Sequence, residues 1–398
     1  MMSTRREVLL FACLGVLTVF VTGPVTPATE SAVADSGPER VLELAFEIAS
    51  AIENDPKDRE KAQYFVAYDL AQTGDLALAR RYAEKISGWR KGVALAEFAR
   101  DAARQGKKEL ARELIREARR VEAVTRGWQR PRIAAYIATA EAELGDAEGA
   151  KEVLVRLAEE DSQYLGRAVA ASAAALVRRG EIEQALAELD TLADSRDIYD
   201  TWWRTMGLID IAGNEELPEK TRDLAARRAL ESTATIAGWK RVEALLALAP
   251  IFRQMGRTPQ VQEVLDRALE RVQGIPPTSP VRTRLMGRLA RALGRAGRRE
   301  EAIDLLERAH GLCARTMKVE RPGILAALAA VNHDLGRRRQ ARALFIEALD
   351  AAAELVNGRP RALAAVAICG ELGRHAIGAD AEILARLQAL RAGLKAPW

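Results

Sequence analysis

One pattern recurs along most of this sequence, and residues 324–349 carry it most clearly. Leu325 and Leu328 keep helical spacing before Gly336, and a second helical face begins at Ala341. The pattern predicts two helices that meet at Gly336. Such a hairpin cannot bury its apolar faces alone, so tandem copies predict a stack in which each hairpin covers its neighbour.

Nine glycines predict the turns of successive hairpins, at intervals of 32 to 43 residues. They are Gly74, Gly106, Gly145, Gly180, Gly213, Gly256, Gly297, Gly336 and Gly373. Alanine recurs five positions after the glycine, at Ala79, Ala111, Ala150, Ala185, Ala302 and Ala341. It also recurs seven positions before, at Ala67, Ala99, Ala138, Ala173, Ala249, Ala290 and Ala329. Small side chains at fixed positions predict two closely packed helices in each hairpin.

Large side chains recur nine positions after the glycine, at Ile115, Leu154, Leu189, Leu265, Leu306 and Phe345. Together with the small positions, these spacings resemble the tetratricopeptide repeat (TPR) over about residues 58–395. The resemblance implies an all-α protein, a right-handed α-solenoid of about nine helix-turn-helix repeats. The intervals vary around the 34 residues of that family, and the usual proline after the second helix is missing, so pitch and subfamily stay open.

Two parts of the array are expected to be irregular. Residues 35–57 predict a lead-in helix before the first hairpin. The unit around Gly213, within residues 195–236, has a turn lengthened by residues 214–218, with the next helix predicted from Glu219 onward. Pro218 suits a helix start.

The N-terminal segment predicts export. Arg5 and Arg6 precede an apolar run over residues 8–21, and a small-x-small sequence ends at Ala34. We expect residues 1–34 to be a signal peptide cleaved after Ala34, with an extracytoplasmic mature protein that has no membrane span. An uncleaved anchor is the alternative, and N-terminal sequencing distinguishes the two.

Cys313 and Cys369 would be the two cysteines of the mature chain. They do not fall in adjacent hairpins of the predicted register, so we expect two buried, apolar thiols rather than a disulfide.

Charge is distributed unevenly along the chain. Residues 251–398 contain 25 Lys and Arg against 15 Asp and Glu, a net charge of +10. The whole chain carries +4 and residues 1–34 are neutral, so residues 35–250 carry −6. This asymmetry favours an acidic partner for the C-terminal half, although an arginine-rich solvated surface explains it equally well.

A second motif precedes several of the first helices. Gly-Trp pairs occur at Trp89, Trp128 and Trp239, each followed by cationic residues. A cation also recurs 15 positions before the turn glycine, at Lys91, Arg130, Arg241, Arg282 and Arg321. We expect the cation to bind free carbonyls at the end of the preceding helix. The functional alternative is a ladder of cations and aromatic rings for an anionic polymer.

The TPR resemblance also implies a binding surface on the concave face, lined by the first helices at 13, 10, 6, 3 and 2 positions before the glycine. Transferred to this chain, the face contains Tyr64, Tyr68, Arg100, Arg104, Arg132, Arg167, Arg178, Arg253, Arg284, Arg291 and Arg295. Arginine forks bind carboxylates, so the resemblance implies an acidic or C-terminal peptide as ligand. Arginine as an ordinary solvated helix residue is the alternative.

The sequence offers little for catalysis. His310, His333 and His375 are the three histidines, and none has a metal-ligand spacing with Cys or another His. No nucleophile-elbow, phosphate-loop or zinc-protease motif occurs. We therefore predict a non-catalytic interaction scaffold without cofactor or metal, which binds protein or peptide and no nucleic acid. The alternatives are an enzyme or carbohydrate-processing factor on the same helices, and a basic nucleic-acid-binding repeat.

Overall fold

The computed structural model describes residues 37–160, 163–193, 195 and 197–394, all within one compact unit. The predicted all-α fold is confirmed for this part of the chain. Its nineteen helices are α1 (Pro38–Ser50), α2 (Pro56–Gln72), α3 (Leu76–Glu84), α4 (Trp89–Arg104), α5 (Lys108–Val124), α6 (Gln129–Leu144), α7 (Ala147–Glu159), α8 (Leu165–Arg178), α9 (Ile182–Asp190), α10 (Ile198–Gly213), α11 (Glu219–Ser232), α12 (Gly238–Gln254), α13 (Thr258–Gln273), α14 (Pro280–Arg295), α15 (Arg299–Cys313), α16 (Arg321–Asp334), α17 (Arg338–Ala353), α18 (Gly358–Arg374) and α19 (Ala381–Ala392).

The predicted signal peptide lies outside the described residues. Within them, no helix combines the length and the apolar character that a membrane span requires.

Seven of the nine glycines form the predicted turns. Gly74, Gly106, Gly145, Gly180, Gly256, Gly297 and Gly336 have φ between 68° and 99°. This is the left-handed region, which favours glycine because it lacks a Cβ. The chain thus reverses between the two helices of each hairpin where the sequence predicted.

The other two glycines do not form turns, and that part of the prediction is wrong. Gly213 ends α10, and a Cβ added there would lie 3.0 Å from Ile251 Cδ1. Gly373 lies inside α18, where a Cβ would lie 2.7 Å from Leu42 Cδ1. Both glycines permit close helix packing instead. The left-handed residue after α18 is Ala376, with φ 48°.

The lengthened turn after Gly213 is confirmed. Residues 214–218 separate α10 from α11, and α11 begins at Glu219 directly after Pro218.

The alanines of the repeat form the contact between the paired helices. The six alanines that follow the turn glycine are at most 2% exposed, and the seven that precede it are at most 6% exposed. In the hairpin of α16 and α17, Phe345 lies in the core with Leu325 and Ala329, and Ala341 is buried. The close packing predicted from these positions is confirmed.

The nine first helices of the hairpins are the even-numbered helices α2 to α18. Each packs against its second helix and against the next first helix along the chain. The series does not end at α18, because α18 also packs against α2. Arg374 Nη1 lies 2.6 Å from Asp69 Oδ1 at this contact, and Arg359 Nη1 lies 2.7 Å from Asp55 Oδ2. The described helices therefore form a closed ring rather than an open solenoid.

The N-terminal helix completes the ninth hairpin. The sequence pattern placed the second helix of this hairpin after Gly373, but α19 makes only a limited contact with α18 and also lies on α17. Instead, α1 covers the face of α18, with the buried Leu42 against Gly373. The segment predicted as a lead-in thus contributes a helix to the ring, and this role was not predicted.

Candidate functional site

The first helices form the inner layer of the ring. They contact one another all the way round, whereas the second helices mainly contact their own hairpin and the next first helix. Helices at the smaller radius are the ones that touch their neighbours. Polar side chains that connect different first helices therefore lie on the inner surface. The predicted binding residues were expected on this surface.

Tyr64 and Tyr68 lie together at the start of the inner surface. Their ring centroids are 6.3 Å apart, and Tyr64 Oη donates a hydrogen bond to Glu97 Oε2 at 2.5 Å. Glu97 is 8% exposed, and burial raises the pKa of its carboxyl group. Arg100, one helical turn from Glu97, pairs with Asp101 at 3.2 Å. The tyrosines are thus held by internal partners.

Arg167 lies between aromatic rings. Its guanidinium carbon is 3.5 Å from the ring centroid of Tyr136 and 5.0 Å from that of Trp203. Burial lowers the pKa of Arg167. Arg132 is placed similarly, 4.8 Å from the Trp89 ring. Both cations are bound by ring faces rather than free for an acidic ligand.

Carboxylates bind several of the other predicted arginines. Arg104 Nε and Arg178 Nη2 lie 3.1 Å and 2.5 Å from the oxygens of Glu143. Arg284 pairs with Glu320, and Arg291 Nε lies 2.8 Å from Asp334 Oδ2. These parts of the inner surface are mixed in charge rather than uniformly basic.

The sequence also indicates two of these carboxylates, by their position relative to the turn glycine. Glu143 and Asp334 each stand two positions before a turn glycine. This is one of the offsets that selected the arginines. Glu97 stands nine positions before its glycine, outside the offsets, and nothing in the repeat pattern points to it.

A pocket of about 210 Å³ lies between the C-terminal parts of α12 and α14. Arg253, Arg291 and Arg295, all predicted as site residues, line it together. Its remaining lining is mostly apolar and comprises Leu246, Ala249, Pro250, Val261, Ala292 and Ala296, with Arg288. The pocket thus combines four arginine side chains with an apolar wall.

Two of these cations have no carboxylate partner among the described residues. Arg295 forms no ion pair or side-chain hydrogen bond there, and Arg253 donates only to the Arg295 carbonyl, at 3.3 Å. Both side chains are exposed. Arg291 differs, because it also donates to His375 Nε2 at 3.0 Å. His375 Nδ1 in turn donates to Asp334 Oδ1 at 3.2 Å, which fixes the arrangement of this group.

Pro250 lines the same pocket. It stands inside α12 and has no N–H to donate to the carbonyl of Leu246, four residues earlier. Leu246 also lines the pocket.

At three of its five positions, the recurrent cation lies in the first turn of a first helix and binds carbonyls at or just beyond the end of the preceding helix, near the partners that were predicted. Arg241 donates to the carbonyls of Ile236 and Ala234. Arg282 donates to Ile275 at 2.7 Å, and Arg321 donates to Cys313 and Ala314 at 3.3 Å and 3.1 Å. We call this contact the arginine clasp. Arg59, which the search of the sequence did not select, forms the same contact with Ile52 at 3.0 Å.

Metal and thiol chemistry find little support in the described residues. They contain no group of three or more His, Cys, Asp or Glu side chains that could hold a metal ion. Cys313 and Cys369 are buried, as predicted, and burial raises the pKa of each thiol to about 12. A thiol with so high a pKa is a poor nucleophile at neutral pH.

Comparison with known proteins connects the fold to a repeat family. The tetratricopeptide repeat model matches residues 241–314, which include α12 to α15. No curated protein matches the chain. Several solved structures are similar to it at low sequence identity.

Three of these structures illustrate the degree of similarity in sequence and in fold. A kinesin light chain fragment from Podospora anserina with nearly identical TPR-like repeats is 17% identical over 58% of this chain and 98% of its own, with a TM-score of 0.30. A Rap protein complexed with competence and sporulation factor is 14% identical over 80% and 98%, with a TM-score of 0.33. A circular tandem repeat protein is 17% identical over 91% and 96%, with a TM-score of 0.24.

All three TM-scores are below 0.5, so these similarities do not define how the repeats are arranged here. The family match does not depend on them. The tetratricopeptide repeat model matches residues 241–314, and the helix-pair fold with its regular small and large positions is consistent with degenerate TPR-like repeats along the described chain.

Proposed function

We propose that this protein is an exported, non-catalytic interaction scaffold that binds an acidic or C-terminal segment of a partner protein. The binding site is the pocket between α12 and α14. The observation that carries this proposal is the pair of exposed guanidinium groups, Arg253 and Arg295, which line a partly apolar pocket and have no carboxylate partner among the described residues.

The chemistry of the pocket suits a peptide carboxylate. A guanidinium group binds a carboxylate through two parallel N–H···O bonds, and such charge-assisted bonds are stronger than neutral ones. The apolar residues Leu246, Ala292 and Val261 favour an aliphatic side chain beside the carboxylate. Pro250 cannot donate to the Leu246 carbonyl, so we infer that this carbonyl accepts from a ligand N–H, as a peptide backbone provides.

The charge of the surrounding chain supports the same class of partner. Residues 251–398 carry a net +10, so the half of the ring that contains the pocket attracts acidic segments before contact. In the N-terminal half, Arg100 pairs with Asp101, and Arg104 and Arg178 pair with Glu143. In the C-terminal half, Arg253 and Arg295 have no carboxylate partner among the described residues. We therefore place the ligand in the C-terminal half.

Export is the second part of the proposal and rests on residues 5–34 alone. The two arginines, the 14-residue apolar run and the small-x-small sequence are typical of a cleaved signal peptide. Fractionation of the source cells, with N-terminal sequencing of the recovered protein, tests it. A mature protein that begins at Asp35 outside the cytoplasm is expected, and cytoplasmic full-length protein would contradict export.

Affinity capture tests the pocket. Tagged residues 35–398 are used to capture partners from the extracytoplasmic fraction at low and raised salt, and these are identified by mass spectrometry. We compare the wild type with a double variant, Arg253→Glu with Arg295→Glu, because neither residue has an ion pair whose loss would disturb the fold. Specific proteins should be captured by the wild type, released at raised salt and absent with the double variant.

Arg299→Glu is the matched control. Arg299 begins α15, is exposed and forms no ion pair among the described residues. The control should retain the captured proteins. If the double variant captures the same proteins as the wild type, or if only glycan is retained, the arginine pocket is not a peptide site.

A further inference from the structure

Three aromatic rings surround one lysine where α10 and α12 begin. The Lys240 ammonium nitrogen lies 4.9 Å from the ring centroid of Tyr199, 4.4 Å from that of Trp202 and 4.7 Å from that of Trp239. We call these three rings the aromatic cage. Each distance is within the range of a cation–π interaction, which is attractive because the ring face is negative.

The cage is open to solvent. Tyr199 is 52% exposed and Trp239 is 43% exposed, although large aromatic side chains are mostly buried in folded proteins. Tyr199 and Trp202 are on α10, and Trp239 is on α12, so two successive hairpins together position the rings. The cage lies at the N-terminal ends of these helices, whereas the arginine pocket lies at the C-terminal end of α12. The two sites are separate.

Lys240 is a poorly matched occupant of this cage. A primary ammonium has three N–H donors and is strongly hydrated in water. Within the described residues, Lys240 forms no hydrogen bond and no ion pair, and the carboxylate of the nearby Glu243 pairs with Arg288 instead. Burial lowers the pKa of Lys240, which means that the charged form loses solvation in the cage.

A second pair of tryptophans, Trp89 and Trp128, makes different contacts. Trp89 and Trp128 contact each other edge to face at 5.5 Å, and Arg90 lies over the Trp89 ring. Arg90 also pairs with Glu60 at 3.6 Å. That cluster therefore consists of an edge-to-face pair with Arg90 and Arg132 beside Trp89, and it does not enclose a cation between three rings.

We propose that the aromatic cage is a binding site for a quaternary ammonium group, and that Lys240 occupies it only until such a ligand displaces it. A trimethylammonium group carries a positive charge without N–H donors, so it loses no hydrogen bonds when rings replace water. Its methyl groups also present an apolar surface to the three rings. The lysine side chain is long and flexible enough to leave the cage and return its ammonium group to solvent.

Choline titration of the purified protein, residues 35–398, tests this site through the fluorescence of its tryptophans. Lys240→Ala removes the competing cation, so we expect it to bind choline saturably and at least tenfold more tightly than the wild type. Lys220→Ala removes an equally positive, exposed lysine from α11, and it should bind as the wild type does. Weak saturable binding by the wild type itself is also expected, and this measurement needs no variant.

Two comparisons identify the interaction. The neutral isostere 3,3-dimethylbutan-1-ol has the shape of choline without its charge, and it should not bind. Adding Trp239→Ala to Lys240→Ala should abolish choline binding while leaving the cooperative thermal unfolding of the protein in place. Equal binding of the isostere, unchanged binding after loss of Trp239, or no saturable binding by Lys240→Ala and the wild type would each overturn the proposal.

The source of the quaternary ammonium group is determined with vesicles. Sedimentation with phosphatidylcholine vesicles, compared with phosphatidylglycerol vesicles, distinguishes a lipid headgroup from a small soluble ligand. Choline binding together with selective sedimentation on phosphatidylcholine supports the headgroup. Choline binding without sedimentation supports a soluble ligand. Neither type of binding would overturn the site.

Discussion

At the scale of single residues, alanine sets the distance between paired helices. Ala341 is 2% exposed, and in the same helix Ala343 is exposed. Both are interior positions of α17, so they share backbone conformation and helix propensity. They differ in what surrounds the side chain, which makes them a matched pair for a packing experiment.

We expect Ala341→Leu to lower the free energy of unfolding by about 1–3 kcal/mol, because the larger side chain overpacks the contact between α16 and α17. Ala343→Leu should change it by less than about 0.5 kcal/mol, as is usual at exposed positions. Urea denaturation monitored by circular dichroism measures both. Equal effects at the two positions would contradict the packing register.

A buried carboxylate at the ring closure adds a pH dependence. Asp69 is 3% exposed, and burial raises its pKa to about 6 despite the attraction of Arg374. The unfolded-state pKa of Asp is about 3.9. The folded protein therefore binds more protons than the unfolded chain between these values. The stability that Asp69 contributes is fully present below about pH 4 and is lost as the pH rises through 6.

Asp69→Asn keeps this position neutral at every pH. Relative to the wild type, we expect its free energy of unfolding to rise by about 1–3 kcal/mol between pH 4 and pH 7.5. Arg374 retains its second ion pair, with Glu371 at 2.6 Å, in this variant. Denaturant titrations of both proteins at the two pH values provide the measurement. A stability difference that stays constant with pH would show that Asp69 titrates normally.

The residues of the candidate site were predictable only in part. The offsets placed Arg253, Arg291 and Arg295 on the inner surface, and the structure brings them together in one pocket. The offsets could not show that Arg167 is bound between two rings, because that contact joins three repeats. A repeat pattern describes the position of a residue within one repeat. It contains no information about which side chain of a neighbouring repeat pairs with each charged residue.

At the scale of helices, the arginine clasp joins the end of one hairpin to the beginning of the next. Arg321, in the first turn of α16, donates to two carbonyls at the end of α15. A cation at a helix N-terminus is disfavoured by the helix dipole, and binding to the free carbonyls compensates for this. The spacing made the clasp predictable, because the partner is always the immediately preceding helix.

Arg321→Met should lower the free energy of unfolding by about 1–2 kcal/mol, since two carbonyls lose their donors while the aliphatic stem is kept. Arg315→Met is the control in the same connection, because Arg315 is exposed and forms no ion pair or side-chain hydrogen bond in the described chain. Thermal unfolding by calorimetry compares the two. A control that loses as much stability as Arg321→Met would show that the clasp is not the cause.

At the scale of the whole molecule, the closed ring was not predictable from the repeat pattern. The residues that meet at the closure, such as Asp69 and Arg374, are 305 positions apart. Each hairpin interface adds a small rotation, and closure depends on the sum of nine rotations. One residue of the sequence reflects the ring closure locally. Gly373 does not form a turn as seven of the repeat glycines do, because α1 lies against this glycine.

Gly373→Ala tests the closure directly. Its Cβ would lie 2.7–2.8 Å from three Leu42 atoms, so we expect a loss of about 1–3 kcal/mol as α1 is pushed away from α18. Gly311→Ala makes the same change in α15, where nothing lies within 4 Å of the added Cβ. Helix propensity alone should stabilise that variant by about 0.5–1 kcal/mol.

Opposite signs in the two glycine variants, measured by urea denaturation, are the expected result. If Gly373→Ala stabilises the protein as Gly311→Ala does, α1 does not occupy the face of α18.

The ring closure also sets the order in which the chain can finish folding. Among the described helices α1 is made first and α18 last but one, so the face of α1 that packs on α18 stays uncovered while all eight hairpins from α2 to α17 are synthesised. Bringing ends about 300 residues apart together carries a chain-entropy term of about 5 kcal/mol, on the order of (3/2)RT ln n. The formation of a single hairpin does not include this entropy cost. The cost arises only when α18 packs against α1 and α2. Nascent chains of this protein therefore need protection from aggregation at α1 until the last repeats have been synthesised.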